Sequence, residues 1–300
     1  MFDPSSLDPD QPVLIAGPTA SGKSALALEI SARTGGRIVN ADALQVYEGW
    51  RVLTARPGPE DLCQAPHALY GHVAMDRDYS VGDWMRDLAP FLDERPAPII
   101  VGGTGLYFRA LTEGLADIPE VPAEIREEAR ARTEDGEVAA MLAELDAETA
   151  ARIDTANPRR VQRAWEVLKG TGKGLMSWQD ATPPPVLPLD KAHPLLLDAD
   201  RDWLAERIAR RFDMMLEAGA LDEVQDNLAD WTPDRASSAA IGAPELVAYL
   251  NGDMSLAAAR EAAVTSTRQY AKRQRTWFRA RMASWHKIAL PLGDTSGPPC

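Results

Sequence analysis

Two rhythms of hydrophobic and polar residues alternate along this chain. Short unbroken apolar runs stand at Val13–Ala16 and at residues 98–101, and a similar run at 37–41 ends in front of Asp42. Apolar runs this short, closed by glycine or by a polar residue, are what strands buried on both faces produce. Residues 24–33 follow the first run with a helical pattern in which Leu26, Leu28 and Ile30 sit among small residues, and residues 106–111 begin another helix after the run at 98–101. Strand, glycine-rich turn and helix in that order predict an α/β fold: a parallel sheet with helices on both faces.

The texture changes near Pro119. From Glu124 to Lys169 the pattern is helical, rich in Ala, Glu and Arg, broken at Gly136 and Pro158, and without a strand candidate. It reads as a helical insertion spanning 119–182, with the core in two parts, 12–118 and 183–292. Residues 182–188, TPPPVLP, are stiff and extended. Residues 193–197 return to the sheet. Asp200 is placed to cap a helix carrying Trp203, Ile208, Phe212 and Leu216 and ending near Gly219. Two shorter helices are expected at 221–228 and 244–250, a long one at 256–278, and a flexible tail at 293–300.

Composition adds little to this picture, and charge adds more. The 300 residues carry a formal net charge of -13, which argues against nucleic acid as a partner when taken alone. The distribution says otherwise. Between Arg260 and Lys287 six Arg and two Lys face one acid, Glu261, for a local charge of 8 - 1 = +7, so the remainder carries -20. No apolar run is long enough to span a bilayer, and the first residues lack the basic and apolar regions of a secretory signal. The two cysteines, Cys63 and Cys300, do not form a metal-binding cluster. A cytoplasmic protein without membrane attachment is expected.

The first chemical motif fills the turn after the first strand. Gly17, Pro18, Thr19, Ala20, Ser21, Gly22, Lys23 and Ser24 match G-x-x-x-x-G-K-[ST] in full. Backbone N–H groups of such a loop, and those of the helix it opens, point at phosphate oxygens; Lys23 supplies a mobile cation, and Ser24 can hold Mg²⁺. The motif specifies a polyphosphate, not a reaction. Asp42 follows the second strand, at the sheet edge where ligands of such folds bind. It could act as a metal ligand or proton acceptor, or simply cap the helix start Ala43, Leu44, Gln45. Gly102, Gly103, Thr104 and Gly105 follow the strand at 98–101, and offer either close approach to a ligand or a tight turn.

Two basic segments remain. Asn157 and Pro158 open a helix on which Arg159 and Arg163 share a face, with Arg160 beside it. The long C-terminal helix carries Arg268, Gln269, Lys272, Arg273, Arg275 and Arg279, interleaved with Trp277 and Phe278. Cations with aromatics suit an RNA backbone and a stacked base, although a solvated charged face is the plainer reading of either helix alone.

With these motifs in order, the chain resembles the bacterial tRNA dimethylallyltransferases, also called tRNA isopentenyltransferases. The resemblance rests on GPTASGKS at 17–24, NADALQVYEGW at 40–50, TARP at 54–57, APH at 65–67, VGGTGLYFRAL at 101–111, NPRRVQRAWEV at 157–167 and TRQYAKRQRTWFR at 267–279. It implies a P-loop nucleoside-triphosphate-hydrolase-like parallel sheet with an inserted all-helical domain that grips the tRNA anticodon loop. It implies transfer of the dimethylallyl group from dimethylallyl diphosphate to N6 of the adenosine 3′ of the anticodon, position 37, with Mg²⁺ as cofactor and the chain acting as a monomer.

The resemblance makes Asp42 the general base, Thr104 a contact to the reacting site and tRNA, and residues 17–24 the diphosphate site, with Lys23 catalytic and Ser24 on the metal. It places Ala43, Leu44, Gln45, Arg126, Arg159, Arg160, Val161, Gln162, Arg163, Arg268, Gln269, Lys272 and Arg273 on tRNA. The chain departs from the family pattern at Ala239, where an Arg or Lys near the diphosphate is usual, at Leu53, and at Ala243-Pro244-Glu245. One phosphate clamp is thereby missing. The alternative from another class is a P-loop small-molecule kinase or NTPase, which would have no use for two basic, aromatic-bearing RNA segments.

Overall fold

A computed structural model describes residue 4 and residues 7–291; the tail expected at 293–300 lies outside the described residues. The chain divides into two compact units, Met1–Ala110 with Leu187–Cys300, and Leu111–Val186.

The first unit is built on a six-stranded sheet: β1 Val13–Ala16, β2 Ile38–Asn40, β3 His67–Ala68, β4 Ile99–Gly102, β5 His193–Ala199 and β6 His286–Leu290. Their order is β3-β2-β4-β1-β5-β6, and every pairing is parallel. β1 lies between β4 and β5, and all four of its residues are buried, so its continuous apolar run is covered on both faces. On one face Val13, Ile15, Ile99, Val101, Leu195 and Leu197 pack with Ala27 and Ile30 of the helix Lys23–Thr34. Because the strands are parallel, their carboxyl ends open on one edge. That edge collects the loops after β1, β2 and β4.

Several elements were not anticipated, among them the short helix Pro59–Gln64. β3 has two residues, too few for a pattern. β6 is an edge strand with only Ile288 buried, so it shows no apolar run. The helix Val81–Leu92 is capped by Ser80 and buries Trp84 and Leu88. It matters to the site, because the Trp84 indole N–H donates to the Asn40 carbonyl at 2.7 Å and its ring stacks on Tyr107 at 4.5 Å. The long C-terminal helix runs Leu256–Arg281, one turn beyond the expected end.

The second unit is helical throughout its described residues, with helices Ala123–Glu134, Val138–Ala143, Ala147–Arg152, Pro158–Thr171 and Leu175–Asp180. Ala129, Met141, Val161 and Trp165 form one small core, and Ala164, Val167, Leu175 and Met176 another. Asn157 accepts from the Arg160 N–H, Pro158 takes the first helical position, and Gly172 ends the helix in the left-handed region at φ 71°. The shift in composition at Pro119 falls inside this unit.

Candidate active site

The loop 17–24 joins β1 to the helix Lys23–Thr34. Gly22 stands at φ 93°, and no side chain caps the helix behind it, so the first-turn N–H groups are not spent on a cap. The Lys23 ammonium donates to the Pro18 carbonyl at 2.9 Å. Burial pushes its pKa down from the usual lysine value to about 8; Asp42 opposes the shift and Arg211 adds to it. Ser21 is buried with its hydroxyl lacking a hydrogen-bond partner, and Ser24 is exposed at the helix start.

Asp42 lies two residues beyond β2 on a turn built by a fully buried asparagine. Asn40 donates to the carbonyls of Asp42 (2.9 Å) and Leu69 (3.0 Å), and its side-chain oxygen accepts from the Asp42 N–H at 2.9 Å. Asp42 Oδ1 accepts from the Leu44 N–H at 3.0 Å, which is the capping role. Its other oxygen, Oδ2, is directed to Gly103: a Cβ added there would lie 3.2 Å from it. One carboxylate therefore serves the turn with one oxygen and presents the other to the sheet edge. Thr104 joins this turn, its hydroxyl accepting from the Ala43 N–H at 2.9 Å. The negative charge of Asp42 helps raise the hydroxyl pKa values of Tyr70, Tyr107 and Tyr270 above the tyrosine range, behind burial as the main cause.

A cleft at this edge is lined by Thr19, Ala20, Asp42 and Arg211 on its polar side. Leu44, Leu53, Ile208, Phe212, Met215 and Ile241 make it apolar, with Thr54, Thr267 and Tyr270. Sequence reading missed several of its makers. Arg211 donates to the Thr19 hydroxyl at 3.2 Å and Arg207 to the Ala20 carbonyl at 2.9 Å, with the Arg207 guanidinium 4.5 Å from the Trp203 ring. Both come from the helix Arg201–Glu217, read in the sequence only through its apolar positions. Their i, i+4 spacing on the flank of Ile208 and Phe212 was the available signal. Ala239, the position of the missing clamp, is exposed in a short turn, and the cations that meet the loop from outside it are Arg207 and Arg211. Glu223 accepts from the N–H groups of Arg51 (2.7 Å), Val52 (2.8 Å) and Leu53 (2.9 Å), holding the segment that supplies Leu53 and Thr54. Gln45 ties the same segment, donating to Thr54 O (2.8 Å) and Ala55 O (3.1 Å).

The basic segments are arranged differently. Arg159, Arg160 and Arg163 are exposed on the helix Pro158–Thr171, and Arg126 is exposed on Ala123–Glu134. Arg163 pairs with Glu166 at 3.2 Å, and Gln162 donates to the same carboxylate at 2.9 Å. Val161 is fully buried with Trp165 and Met141, which corrects the expectation that its side chain meets RNA: it belongs to the core. On the C-terminal helix Arg268, Gln269, Lys272 and Arg273 are exposed; the last three edge a shallow depression with Trp277 and Arg281. Among the described residues no group of three or more His, Cys, Asp or Glu could hold a metal ion, and no helix is long and apolar enough to cross a membrane.

The IPP transferase family matches residues 45–281, and the isopentenyl transferase family matches residues 11–70. The tRNA dimethylallyltransferase of Dinoroseobacter shibae is 62% identical, over 95% of this chain and 97% of its own length. The tRNA isopentenylpyrophosphate transferase of Bacillus halodurans superposes with a TM-score of 0.65 at 33% identity, covering 93% of this chain and 90% of that one. A eukaryotic dimethylallyltransferase acting on tRNA reaches a TM-score of 0.77 at 25% identity, over 93% of this chain and 74% of that one. The glycine loop, the Asp42 turn and the sheet behind them are thus those of a shared lineage, and the chain belongs to the tRNA dimethylallyltransferase (IPP transferase) family.

Proposed function

We propose that the chain transfers the dimethylallyl group of dimethylallyl diphosphate to N6 of the adenosine 3′ of the anticodon in tRNA. The observation that carries this reading is the cleft that Asp42 and Arg211 line beside an apolar wall, with Lys23 of the phosphate loop near enough for both charges to act on it. The diphosphate rests on the loop N–H groups, with Lys23 released from the Pro18 carbonyl to meet it. The prenyl group lies against Leu53, Ile208 and Phe212. The acceptor base leaves its stack to enter the cleft, as chemistry on a base requires.

The N6–C1 bond forms as the C1–oxygen bond to diphosphate breaks. Charge building on the leaving group is met by Lys23, Arg211 and the loop dipoles. The proton lost from N6 passes to Asp42 Oδ2, while Thr104 fixes the turn.

Residues present fit a magnesium ion held largely by the donor. Ser24 offers a hydroxyl at the mouth of the loop without a carboxylate cage, and Mg²⁺ favours phosphate oxygens and water. Such an ion supplies charge neutralisation of the diphosphate. The unit Leu111–Val186, with Arg126, Arg159, Arg160 and Arg163, is assigned to the anticodon loop, and Arg268, Gln269, Lys272 and Arg273 to the RNA backbone. The setting is that of tRNA, the cytoplasm.

The test is incubation of unmodified tRNA with labelled dimethylallyl diphosphate and Mg²⁺, then digestion to nucleosides. Label in N6-dimethylallyladenosine, without ATP, is expected. Unlabelled tRNA, or product formed only with ATP, overturns the reading.

A further inference from the structure

The long C-terminal helix turns a mostly apolar face inward, with Ala271 and Phe278 buried on it. Between them stands Gln274, only 6% exposed. A buried primary amide is costly unless both ends are satisfied, and here both are. Its oxygen accepts from the Thr19 N–H at 2.9 Å, and its nitrogen donates to the Gly103 carbonyl at 3.0 Å. Thr19 belongs to the phosphate loop after β1. Gly103 belongs to the loop after β4, next to Asp42 and Thr104. Gly103 leaves no room for error: a Cβ there would lie 2.3 Å from the Gln274 nitrogen and 3.2 Å from Asp42 Oδ2.

We propose that Gln274 is a positioning residue for the transfer reaction: a strut that sets the spacing between the diphosphate loop and the loop that places Asp42 and Thr104. This rests on the function proposed above. Between β1 and β4 the strand pairing runs only as far as Ala16 and Gly102. Thr19 lies three residues beyond that register and Gly103 one. Leaving group and acceptor must be in line, and a 1 Å misplacement costs roughly 100-fold in rate. One side chain bonded to both loops removes that freedom, and an apolar residue of the same size could fill the space without doing so.

The experiment uses the full chain and two probes: inorganic diphosphate for the loop alone, and single-turnover transfer to tRNA for the spacing. Gln274→Leu should weaken diphosphate binding and slow single turnover by roughly 10- to 100-fold while tRNA affinity is unchanged. Gln274→Glu keeps an acceptor for the Thr19 N–H but sets a carboxylate oxygen against the Gly103 carbonyl. Its added negative charge beside the loop should weaken diphosphate binding as well, and transfer should be slow. Gly103→Ala should be slow by displacing the amide. Combined with Gln274→Ala it should cost less than it does alone, because the closer of the two atoms it strikes is gone and only its contact with Asp42 Oδ2 remains. A Leu variant with wild-type binding and rate, a Glu variant with wild-type rate, or full additivity in the Gly103–Gln274 pair would overturn the strut. If the wild type itself fails to prenylate tRNA, the functional reading falls, and diphosphate binding by the Leu variant still decides the link to the loop.

Discussion

In the loop 17–24 the proposed binding groups are backbone N–H groups, and two of its side chains are engaged in holding the loop: Lys23 on Pro18, Thr19 on Arg211. In the helix start at 157–163 the backbone is consumed by the helix, and side chains reach outward, with Arg159, Arg160 and Arg163 exposed. A site of the first kind depends on geometry fixed by many distant contacts. A site of the second kind depends on the number of charges. The first should fail abruptly with single changes and ignore salt. The second should fade by degrees and follow salt.

The sharpest break is expected at Asp42. Asp42→Asn can still accept from the Leu44 N–H, so the turn survives, but it cannot take a proton at neutral pH. Single-turnover rate should fall by roughly 10²–10⁴-fold with donor and tRNA affinities near wild type. A near-native rate in a folded variant would leave Asp42 with the capping role alone.

Next comes Lys23→Ala, for which a loss of about 10²–10³-fold in transfer is expected, together with weaker diphosphate binding. A pH titration sharpens the point. Burial holds Lys23 at about 8 against the usual 10.5. Affinity for diphosphate should therefore fall as pH rises through about 8, where the ammonium loses its proton. The stability term runs the other way: between about 8 and 10.5 the unfolded chain binds the extra proton, so stability rises with pH over that window. Diphosphate affinity flat from pH 7 to 9.5 would remove Lys23 from the contact.

Replacing Arg159, Arg160 and Arg163 by Gln together should weaken tRNA binding, lower its salt slope by up to roughly 2 to 3, and leave donor binding alone. Arg163, paired with Glu166, should contribute least of the three. Unchanged tRNA affinity across a salt series would make this segment a solvated face.

The smallest effect belongs to the core behind those arginines. Glu144 accepts from Trp165 (2.8 Å), Lys169 (2.8 Å) and Arg132 (2.9 Å), and these partners hold its carboxyl down at about 2. That contribution is full above the normal value of 4.5 and is lost as pH falls toward 2. Glu144→Gln should lower the melting temperature by a few degrees at neutral pH and make no difference near pH 2. A larger shift at acid pH would reverse the sign of the argument.

How legible each region was in the sequence follows the same division. The phosphate loop is contiguous, and its chemistry is carried by glycines and one lysine, so residues 17–24 announced it. The Asp42 turn was half legible: its place after β2 was visible, but it takes the position of the Leu44 N–H to show that the cap uses one oxygen and leaves the other for the proposed base. Arg207, Arg211 and Gln274 were not legible as site residues, since each meets the loop across 187, 192 and 255 residues of sequence. A buried glutamine in a basic helix reads as one more polar residue until its partners are known. β3 and β6 escaped because an edge strand buries too little to leave an apolar run. Val161 was misplaced because the resemblance named a stretch, while the helix alternates inside and outside residue by residue.

The strand order has a consequence for how the chain is born. β1 lies between β4 and β5, yet β5 is synthesised only after the whole helical unit. Until residues 193–199 leave the ribosome, β1 keeps one bare edge of unpaired N–H and carbonyl groups, and the strut that spans its loop arrives later still, at Gln274. A nascent or truncated chain therefore carries a complete phosphate motif and no working site. Its open edge is the kind that pairs with other chains or with a chaperone. Premature termination before residue 193 should accordingly yield an insoluble product, not a weakened enzyme.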